Sequence, residues 1–372
     1  MAVNHYYTLG RSGLRVSRLA LGTMTFGTEW GWGADKDAAR TLFDAYVDAG
    51  GNFIDTADVY TQGTSETWLG EFIAARGLRD KLVLATKFSH PTDPGNPNAC
   101  GNGRMHIVRA LEASLKRLNT DHVDLYFLHT WDQLTPVDEV MRALDDLVRA
   151  GKVRHIGLSD VPAWYASRAQ TMAEFRGWEP VCALQLEYSL VERQIEFEFT
   201  RLATDCGMGL VAWSPLASGL LSGKYRADDA PAVMAEGRLK ANLGRANPIF
   251  DRLTERNWGI VAELEAVAKE AGLTMAQVAV QWVARKAGVG SVILGATRLA
   301  QLEETMAALD VDLPLELLAR LDAVSAPHQR FPYTLFTPEF QRSLHGGASV
   351  GDKPVGYRPA VVVPGRATRR RV

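Results

Sequence analysis

The strongest constraint on the fold is a pattern that occurs eight times along the chain. Each time, a short run rich in β-branched residues is followed by a polar loop and then by an amphipathic stretch. The amphipathic stretches carry apolar residues at positions i, i+3, i+4 and i+7, the spacing of one helix face. Alternating strands and helices predict a parallel sheet with crossover helices. Eight such units favour an α/β fold closed into a (β/α)8, or TIM, barrel.

The predicted strands and helices follow directly from this pattern. The strands are residues 17–22, 52–56, 82–87, 123–129, 154–160, 182–188, 209–214 and 291–296. Residues 37–50, 107–119, 137–151 and 275–288 are among the predicted helices, with stop signals at Gly50, Gly51, Asn119, Gly151 and Gly272. An N-terminal β-hairpin is predicted ahead of the barrel, since YYTLG and LRVSRLALG flank the turn Arg11-Ser12-Gly13.

Two segments exceed what a minimal barrel needs. About 75 residues separate the last two predicted strands, and residues 223–254 among them predict a long loop over the barrel. We assign residues 1–326 to the barrel and 327–372 to a C-terminal extension. The extension is rich in Pro and Gly, but its aromatic residues favour packing near the barrel mouth; they are Phe331, Tyr333, Phe336, Phe340 and Tyr357.

The overall composition excludes several classes of function. With 41 basic and 43 acidic residues the net charge is −2, which does not favour binding to nucleic acid or to an anionic membrane. The three cysteines are widely spaced and predict neither a disulfide framework nor a zinc site. No apolar run reaches the ~18 residues that cross a bilayer, and the first residues do not resemble a secretory signal. We therefore expect a cytoplasmic protein without a metal.

Polar residues occupy the ends of the predicted strands, where the working residues of such barrels stand. Asp55 ends the second strand and Tyr60 follows it, Lys87 ends the third, and His129 ends the fourth. Further strand ends carry Ser159, Asp160, Gln185, Trp213 and Ser214. Although they are distant in sequence, these residues converge on one mouth of the predicted barrel.

Together, Asp55, Tyr60, Lys87 and His129 suit the protonation of an oxygen. A tyrosine has a reference pKa near 10, and a neighbouring ammonium such as that of Lys87 lowers the pKa. Asp55 could hold Lys87, and the His129 imidazole could orient a carbonyl oxygen. Carbonyl reduction needs this arrangement while a hydride arrives at carbon. Taken singly, each residue also fits an ordinary loop charge or a hydrogen-bonded core side chain; the set of four on successive strands favours catalysis.

The segment GNFIDTADVY resembles the motif of the aldo-keto reductase family, in which a tyrosine follows Asp-Thr-Ala. Further similar segments are IGLSD, QLEYSL, AWSPLASGLLSGKY and LGATRLAQLEE, in the family's order across about residues 6 to 326. The branch resembled contains bacterial reductases and potassium-channel β subunits. The resemblance implies that Asp55, Tyr60, Lys87 and His129 form the catalytic tetrad, with Tyr60 as the proton donor.

The same resemblance implies a nicotinamide cofactor across the barrel mouth, since the chain has no Rossmann glycine fingerprint. NADPH is expected over NADH, because Thr297 and Arg298 can meet a 2′-phosphate. Arg238 is a weaker phosphate candidate. The full set of implied cofactor contacts is Thr23, Ser159, Asp160, Gln185, Trp213, Ser214, Pro215, Leu216, Ser218, Gly219, Leu221, Lys224, Arg238, Gly295, Thr297, Arg298, Gln301, Glu304 and Thr305. Many relatives have Asn at the positions of Asp160 and Thr305, which puts cofactor affinity in question more than chemistry.

The substrate pocket is expected to be aromatic, as small-molecule sites commonly are. Its predicted lining is Phe26, Trp30, Trp32, Phe88 and Trp131. Such a pocket fits an aromatic, aliphatic or sugar-derived aldehyde, or a cyclic ketone. Two alternatives to an NADPH-dependent reductase remain at this point: a regulatory subunit that senses redox state through bound NADPH, and a barrel isomerase or lyase without nicotinamide.

Overall fold

The computed structural model describes residues 3–227, 234, 236–244 and 248–348. The chain separates after Pro327 into two units, of which the second begins at His328. Parts of the predicted long loop, and the extension from residue 349 onward with Tyr357, lie outside the described residues. In the second unit the helix α12 spans Pro338–Leu344, and the Tyr333 and Phe336 rings meet edge to face at 5.9 Å.

The first unit contains a closed barrel of eight parallel strands, as predicted. Its strands are β3 (Leu19–Gly22), β4 (Phe53–Asp55), β5 (Val83–Phe88), β6 (Val123–Leu128), β7 (Val153–Ser159), β8 (Val181–Glu187), β9 (Gly209–Trp213) and β10 (Val289–Leu294). Each strand pairs with the next in sequence, and β10 closes the barrel by pairing with β3, Ile293 opposite Ala20. All eight predicted strands are confirmed, with ends that differ by one or two residues.

A hairpin closes the end of the barrel opposite the mouth. It consists of β1 (Tyr6–Thr8) and β2 (Arg15–Ser17), which pair antiparallel as predicted. Leu9 and Val16 are fully buried and pack with Phe53, Leu125 and other side chains of the barrel interior. Burial of a side chain of this size contributes about 1.5–3 kcal/mol, so the hairpin is a substantial part of the barrel's stability.

Most of the helices surround the barrel and pack on the outer face of its strands. In the first unit they are α1 (Lys36–Asp48), α2 (Thr64–Arg76), α3 (Arg104–Leu118), α4 (Val137–Arg149), α5 (Ala163–Arg176), α6 (Phe199–Cys206), α7 (Arg238–Ala241), α8 (Glu255–Ala271), α9 (Met275–Ala284), α10 (Leu299–Met306) and α11 (Leu315–Val324). Local sequence explains their limits: Asp35 caps the start of α1, and a capping box of Thr274 and Gln277 starts α9. Asn119 and Gly272 end α3 and α8 with left-handed backbone.

Candidate active site

Lys87 is the centre of a buried hydrogen-bonded group at the carboxyl ends of β4 and β5. Its ammonium donates to Asp55 Oδ2 at 2.6 Å, to the Thr56 carbonyl at 2.7 Å and to the Tyr60 hydroxyl at 3.1 Å. The three side chains are 0% (Lys87), 2% (Asp55) and 8% (Tyr60) exposed. All three ammonium hydrogens are thus used in hydrogen bonds. These bonds hold the positive charge of Lys87 next to the Tyr60 phenol.

The loop after β4 fixes the position of Tyr60. The amide of Asp58 donates to the Lys87 carbonyl at 3.2 Å, which ties this loop to the neighbouring strand. Thr61 and Gln62, directly after Tyr60, have positive φ angles of 46° and 56°, a backbone conformation that costs non-glycine residues about 1–3 kcal/mol. The Thr61 hydroxyl donates to the Phe26 carbonyl at 2.7 Å and helps to hold this strained turn.

Burial and the ammonium act on the Tyr60 phenol in opposite directions. Burial raises the pKa of Tyr60 and outweighs Lys87, which lowers it, so that the pKa lies above the usual range. For Lys87, burial by itself lowers the pKa, but Asp55 and Tyr60 together raise the pKa above its ordinary value. Lys87 therefore acts in the predicted direction, but the enclosure of the phenol outweighs it. The phenol keeps its proton at neutral pH, which is the state required of a proton donor.

His129 stands one residue beyond β6 and faces the same spot. Its ring meets that of Tyr60 edge to face at 5.9 Å between centroids and that of His90 at 4.8 Å. Burial, followed by the charges of Lys87 and His90, lowers the pKa of His129 well below the usual value. The imidazole is therefore neutral, and its buried Nδ1 has no hydrogen-bond partner within the described residues.

Asp55 is held from a second side by Gln185 on β8. The Gln185 amide donates to Asp55 Oδ1 at 2.7 Å, so each carboxylate oxygen of Asp55 has one charged or amide donor. Thr23 supports the same strand end, because its hydroxyl and its amide both donate to the Asp55 carbonyl. Thr23 is fully buried. Its polar groups are thus used within the protein, and the cofactor contact of Thr23 stays a prediction.

Asp58 is a buried carboxyl that the sequence interpretation left without a role. It is 3% exposed, and neither carboxyl oxygen has a hydrogen-bond partner in the described part of the chain. Burial, with a contribution from the nearby Glu66, raises the pKa of Asp58 to about 8. Glu66 itself accepts from Thr86 at 2.5 Å and from Arg117 at 2.7 Å. A carboxylate placed two residues before Tyr60 was the available signal.

The loop after β9 has a tightly turned, left-handed backbone. Ser214, Ala217, Ser218 and Gly219 all have positive φ angles, between 47° and 96°. The amides of Ala217, Ser218 and Gly219 donate within the loop, to the Ser214 carbonyl, the Ser214 hydroxyl and the Leu216 carbonyl. A Cβ at Gly219 would lie 2.7 Å from Lys224 Cε, so a larger residue there would displace the end of this lysine side chain. Leu216 is half-buried in the turn, and Pro215 and Leu221 are buried. The side chain of Leu221 packs in the core, and its cofactor contact stays a prediction.

A second cation lies close to Lys224. Burial, together with the charge of Arg298, lowers the pKa of Lys224. Two neighbouring cations suit a phosphate group, whose charge would offset their repulsion. Arg298 stands at the start of α10, where the Thr297 amide and hydroxyl both donate to Gln301 Oε1. Gly295 is exposed just beyond β10, and Glu304 is half-buried on α10.

Thr305 does not present its hydroxyl to this site. The hydroxyl donates to the carbonyls of Gln301 and Leu302 in its own helix, at 2.8 and 3.1 Å, and the residue is buried. A threonine hydroxyl on a helix commonly returns to the preceding turn in this way. The cofactor contact of Thr305 stays a prediction, which its hydroxyl does not support in this conformation.

Asp160 and Trp213 form a polar contact at the ends of β7 and β9. The Trp213 indole Nε1 donates to Asp160 Oδ1 at 3.2 Å. Although Asp160 is partly exposed at the mouth, the surrounding walls of the barrel raise the pKa of Asp160 to about 7 by desolvation. Its neighbour Ser159 is fully buried, with an Oγ that has no partner among the residues described. These polar groups could therefore hydrogen-bond the amide of a ligand that contains a flat ring.

Trp30 and Trp32, in the first βα loop, stand beside Tyr60, whereas two other residues of the predicted pocket lining are enclosed by protein. Trp30 lies edge to face with Tyr60 at 6.4 Å, Trp30 and Trp32 are 5.6 Å apart, and Trp131 packs against Trp164 at 5.4 Å. Phe26 and Phe88 are fully buried in the core. Successive strand residues point to opposite faces, so Phe88 faces the helices when Lys87 faces the barrel. Phe26 packs on Phe72 of α2 at 6.4 Å.

Several known proteins are similar to this chain over most of its length. A family model described as the Aldo/keto reductase family matches residues 18–326. The oxidoreductase YrpG of Bacillus subtilis is 39% identical over 86% of this chain and 95% of its own. A probable voltage-gated potassium channel subunit beta of Oryza sativa subsp. japonica is 38% identical, over 86% and 96%. An aryl-alcohol dehydrogenase [NADP(+)] of Phanerodontia chrysosporium is 34% identical, over 87% and 86%.

Proposed function

The chain belongs to the aldo/keto reductase family and is an NAD(P)H-dependent oxidoreductase, and we propose that it reversibly reduces aldehydes or ketones to alcohols with NADPH. The carrying observation is the 3.1 Å hydrogen bond from the Lys87 ammonium to the Tyr60 hydroxyl, beside the neutral imidazole of His129. A protonated phenol, a fixed cation and a neutral imidazole at one point match the needs of an oxygen that gains negative charge.

The chain's own residues divide the chemistry of the oxygen among them. NADPH supplies the hydride that the carbonyl carbon receives. The Tyr60 hydroxyl donates its proton to the carbonyl oxygen as charge develops there. Lys87 stabilises the phenolate that remains, and Asp55 keeps Lys87 in place. His129 hydrogen-bonds the same oxygen and sets the angle at which the carbonyl lies.

Several side chains support NADPH as the cofactor. Ser159 and Asp160, with Trp213, would hold and cover the nicotinamide, and the small residues of the loop from Ser214 to Gly219 would let the pyrophosphate approach closely. Lys224 and Arg298 are adjacent cations that would bind the additional phosphate of NADPH, which NADH lacks. The chain therefore fits NADPH better than NADH.

Replacement of Tyr60 by Phe tests the proton donor. Turnover of an aldehyde panel should fall by at least about a hundredfold, the range of a lost general acid, while NADPH still quenches the Trp fluorescence of the protein. Tyr165→Phe is the matched control, because Tyr165 is also buried and its hydroxyl has no partner among the described residues. Near-normal turnover by Tyr60→Phe would refute the assignment. The same panel with NADH measures the cofactor preference.

The similarity to potassium channel β subunits supports a second candidate function, a redox-sensing subunit that holds NADPH and turns over slowly. The two functions differ in the number of catalytic cycles. A reductase oxidises many equivalents of NADPH per protein chain with simple aldehydes, whereas a sensor stops after about one equivalent and keeps its NADP+.

A further inference from the structure

Two side chains of the loop between β5 and α3, Ser89 and Asn102, hold the backbone beside His129. The Ser89 hydroxyl accepts from the His129 amide at 3.2 Å and from the Thr130 amide at 3.4 Å. The Asn102 side-chain amide donates to the Thr130 carbonyl at 3.0 Å. These bonds add to the one from the His129 amide to the Phe88 carbonyl, so the peptide groups next to the imidazole are fixed from two sides.

Ser89 and Asn102 are also bonded to each other. The Ser89 hydroxyl donates its one hydrogen to Asn102 Oδ1 at 2.7 Å, which leaves its lone pairs for the two backbone amides. The backbone of Asn102 is fixed in turn, because its amide donates to Asp132 Oδ2 at 2.8 Å. Ser89 is 6% and Asn102 0% exposed. A buried network that is connected in this way holds one geometry and makes the local structure rigid.

Ser89 has a backbone conformation that serine rarely adopts. Its φ angle is 134°, in the region that favours glycine. A residue keeps such a conformation only where the surrounding structure imposes it. Local propensity thus disfavours serine here, whereas its hydroxyl makes three hydrogen bonds that glycine could not make. The position therefore favours the hydroxyl over a relaxed backbone.

The imidazole of His129 lacks the hydrogen bond that commonly orients a histidine. The partner of one ring nitrogen normally fixes the tautomer and the orientation of the ring, but the buried Nδ1 of His129 has no partner among the described residues. The rings of Tyr60 and His90 contact the imidazole edge to face, which restricts the ring without a directional bond. The direction of the imidazole therefore depends on where the backbone places its Cα–Cβ bond.

We propose that Asn102 and Ser89 are positioning residues, which hold the backbone at His129 so that its imidazole faces a carbonyl oxygen held by Tyr60. The inference rests on the proposed function, in which His129 sets the angle of the carbonyl. Both side chains act through the peptide groups beside His129 and need no contact with substrate or cofactor. A displacement of about 1 Å in an orienting group can reduce turnover about a hundredfold.

Replacement of Asn102 by Leu removes the side-chain amide from the network. The kcat for the aldehyde panel should fall about ten- to a hundredfold, while the Kd for NADPH changes less than about twofold. Asn52→Leu is the matched control, because Asn52 accepts from the Ser17 hydroxyl at 2.8 Å and donates to the Arg15 carbonyl at 2.9 Å. It lies ahead of β4, at the end of the barrel opposite the mouth, so it should lose stability to urea but keep its kcat.

Two variants of Ser89 separate positioning from stability. Ser89→Ala removes the hydroxyl and keeps the strained backbone, whereas Ser89→Gly removes the hydroxyl and relaxes the strain. The glycine variant should therefore resist urea better than the alanine variant, while both lose kcat to the same extent. If activity instead follows stability, so that Ser89→Gly keeps a near-normal kcat, the network is structural only and the proposal is wrong.

The effect on turnover should pass through His129. In protein that carries His129→Ala, the addition of Asn102→Leu should lower the residual kcat by less than about twofold, because no imidazole is left to misplace. An equal loss in the presence and absence of the imidazole would overturn the proposal.

Histidine NMR spectra test the positioning without turnover, so a failure of the proposed reductase activity stays distinguishable from a failure of this inference. The ring signals of His129 are those that disappear in His129→Ala. In Asn102→Leu and Ser89→Gly these signals should shift or broaden, because the imidazole changes its angle to the neighbouring aromatic rings. The signals of histidines remote from the mouth should stay in place. Unchanged His129 signals in both variants would overturn the proposal even if the protein is an active reductase.

Discussion

The Lys87 ammonium and the Asp55 carboxylate are 2.6 Å apart, and both are enclosed by protein. A buried ion pair of this kind owes its position to complete hydrogen bonding, because either charge left alone would be strongly destabilising. The pair is therefore both a structural and a chemical element of the mouth.

Replacement of Lys87 by Met should affect both properties. Without the ammonium, Tyr60 keeps only the burial that raises its pKa and becomes a weaker acid, so kcat should fall about 10²- to 10⁴-fold. Stability should fall by about 3–5 kcal/mol, because Asp55 is left as an unpaired buried carboxylate. Denaturant unfolding and steady-state kinetics measure the two effects. Lys36→Met, which removes an exposed pair with Glu71, should change stability by less than about 1 kcal/mol; equal losses in both variants would contradict the prediction.

Asp58 should make stability depend on pH in an unusual direction. The pKa of Asp58 is raised to about 8 in the fold, against about 3.9 for an unfolded chain. Between these values the folded state holds a proton that the unfolded state has released. The free energy of unfolding therefore falls as pH rises through this window, by up to about 1.4 kcal/mol per pH unit.

Asp58→Asn cannot ionise and should lose this dependence. Urea unfolding at pH 5, 6, 7 and 8 should show the variant gaining stability relative to wild type at each step. Asp145→Asn is the control, because Asp145 is equally buried but accepts hydrogen bonds from Arg149 and the Glu179 amide. Parallel curves for wild type and Asp58→Asn would show that Asp58 is already ionised at pH 5.

Gly219→Ala should weaken cofactor binding. Gly219 has a φ of 96°, and a Cβ there would meet the side chain of Lys224. On the proposed binding mode, displacement of this lysine should raise the Kd for NADPH roughly tenfold, the effect of one charged hydrogen bond. Gly177→Ala is matched in backbone, with φ of 62° and open space around the added atom. Both variants should lose about 1–2 kcal/mol of stability. If the Kd for NADPH rises in both, displacement of Lys224 is not the cause of the weaker binding.

Asp160→Asn should remove a pH-dependent preference between oxidised and reduced cofactor. The pKa of Asp160 is raised to about 7, so its carboxyl becomes negative as pH rises from 6 to 8. A negative charge beside Trp213 favours the cationic ring of NADP+, so the ratio of the Kd for NADPH to that for NADP+ should rise roughly three- to tenfold. Fluorescence titrations should give a constant ratio for Asp160→Asn. Asp132→Asn serves as control, because the pKa of Asp132 is lowered and its charge is constant in this range.

Hydrophobic periodicity was sufficient to predict the barrel strands, but it did not predict the orientation of every residue near the mouth. Strand β4 lies within the predicted residues 52–56, and its polar end is Asp55, because a run of buried apolar residues followed by a carboxylate has few other places in a parallel barrel. Phe88 could also have been placed correctly, since it follows Lys87 in the strand and must face the opposite side. Phe26 could not, because an aromatic residue in a glycine-rich loop can point inward or outward.

The sequence predicts which residues form the hydrogen-bonded group around Lys87, but not the net direction in which the pKa of Tyr60 shifts. Charge attraction alone predicts a low pKa for Tyr60, whereas the enclosure of its ring, which depends on packing from Trp30 and the following turn, raises the pKa. The environment of Asp58 likewise depends on Glu66 and Arg117 from α2 and α3. Neither contact has a spacing that sequence alone could reveal.

The hairpin covers the end of the barrel opposite the mouth, so a ligand can reach the site around Lys87 only through the mouth. Leu9 and Val16 of the hairpin pack there with other apolar side chains of the barrel interior. Stabilising substitutions in the hairpin can therefore be combined with substitutions around the mouth that alter which molecules enter, because the two sets of residues lie at opposite ends of the barrel.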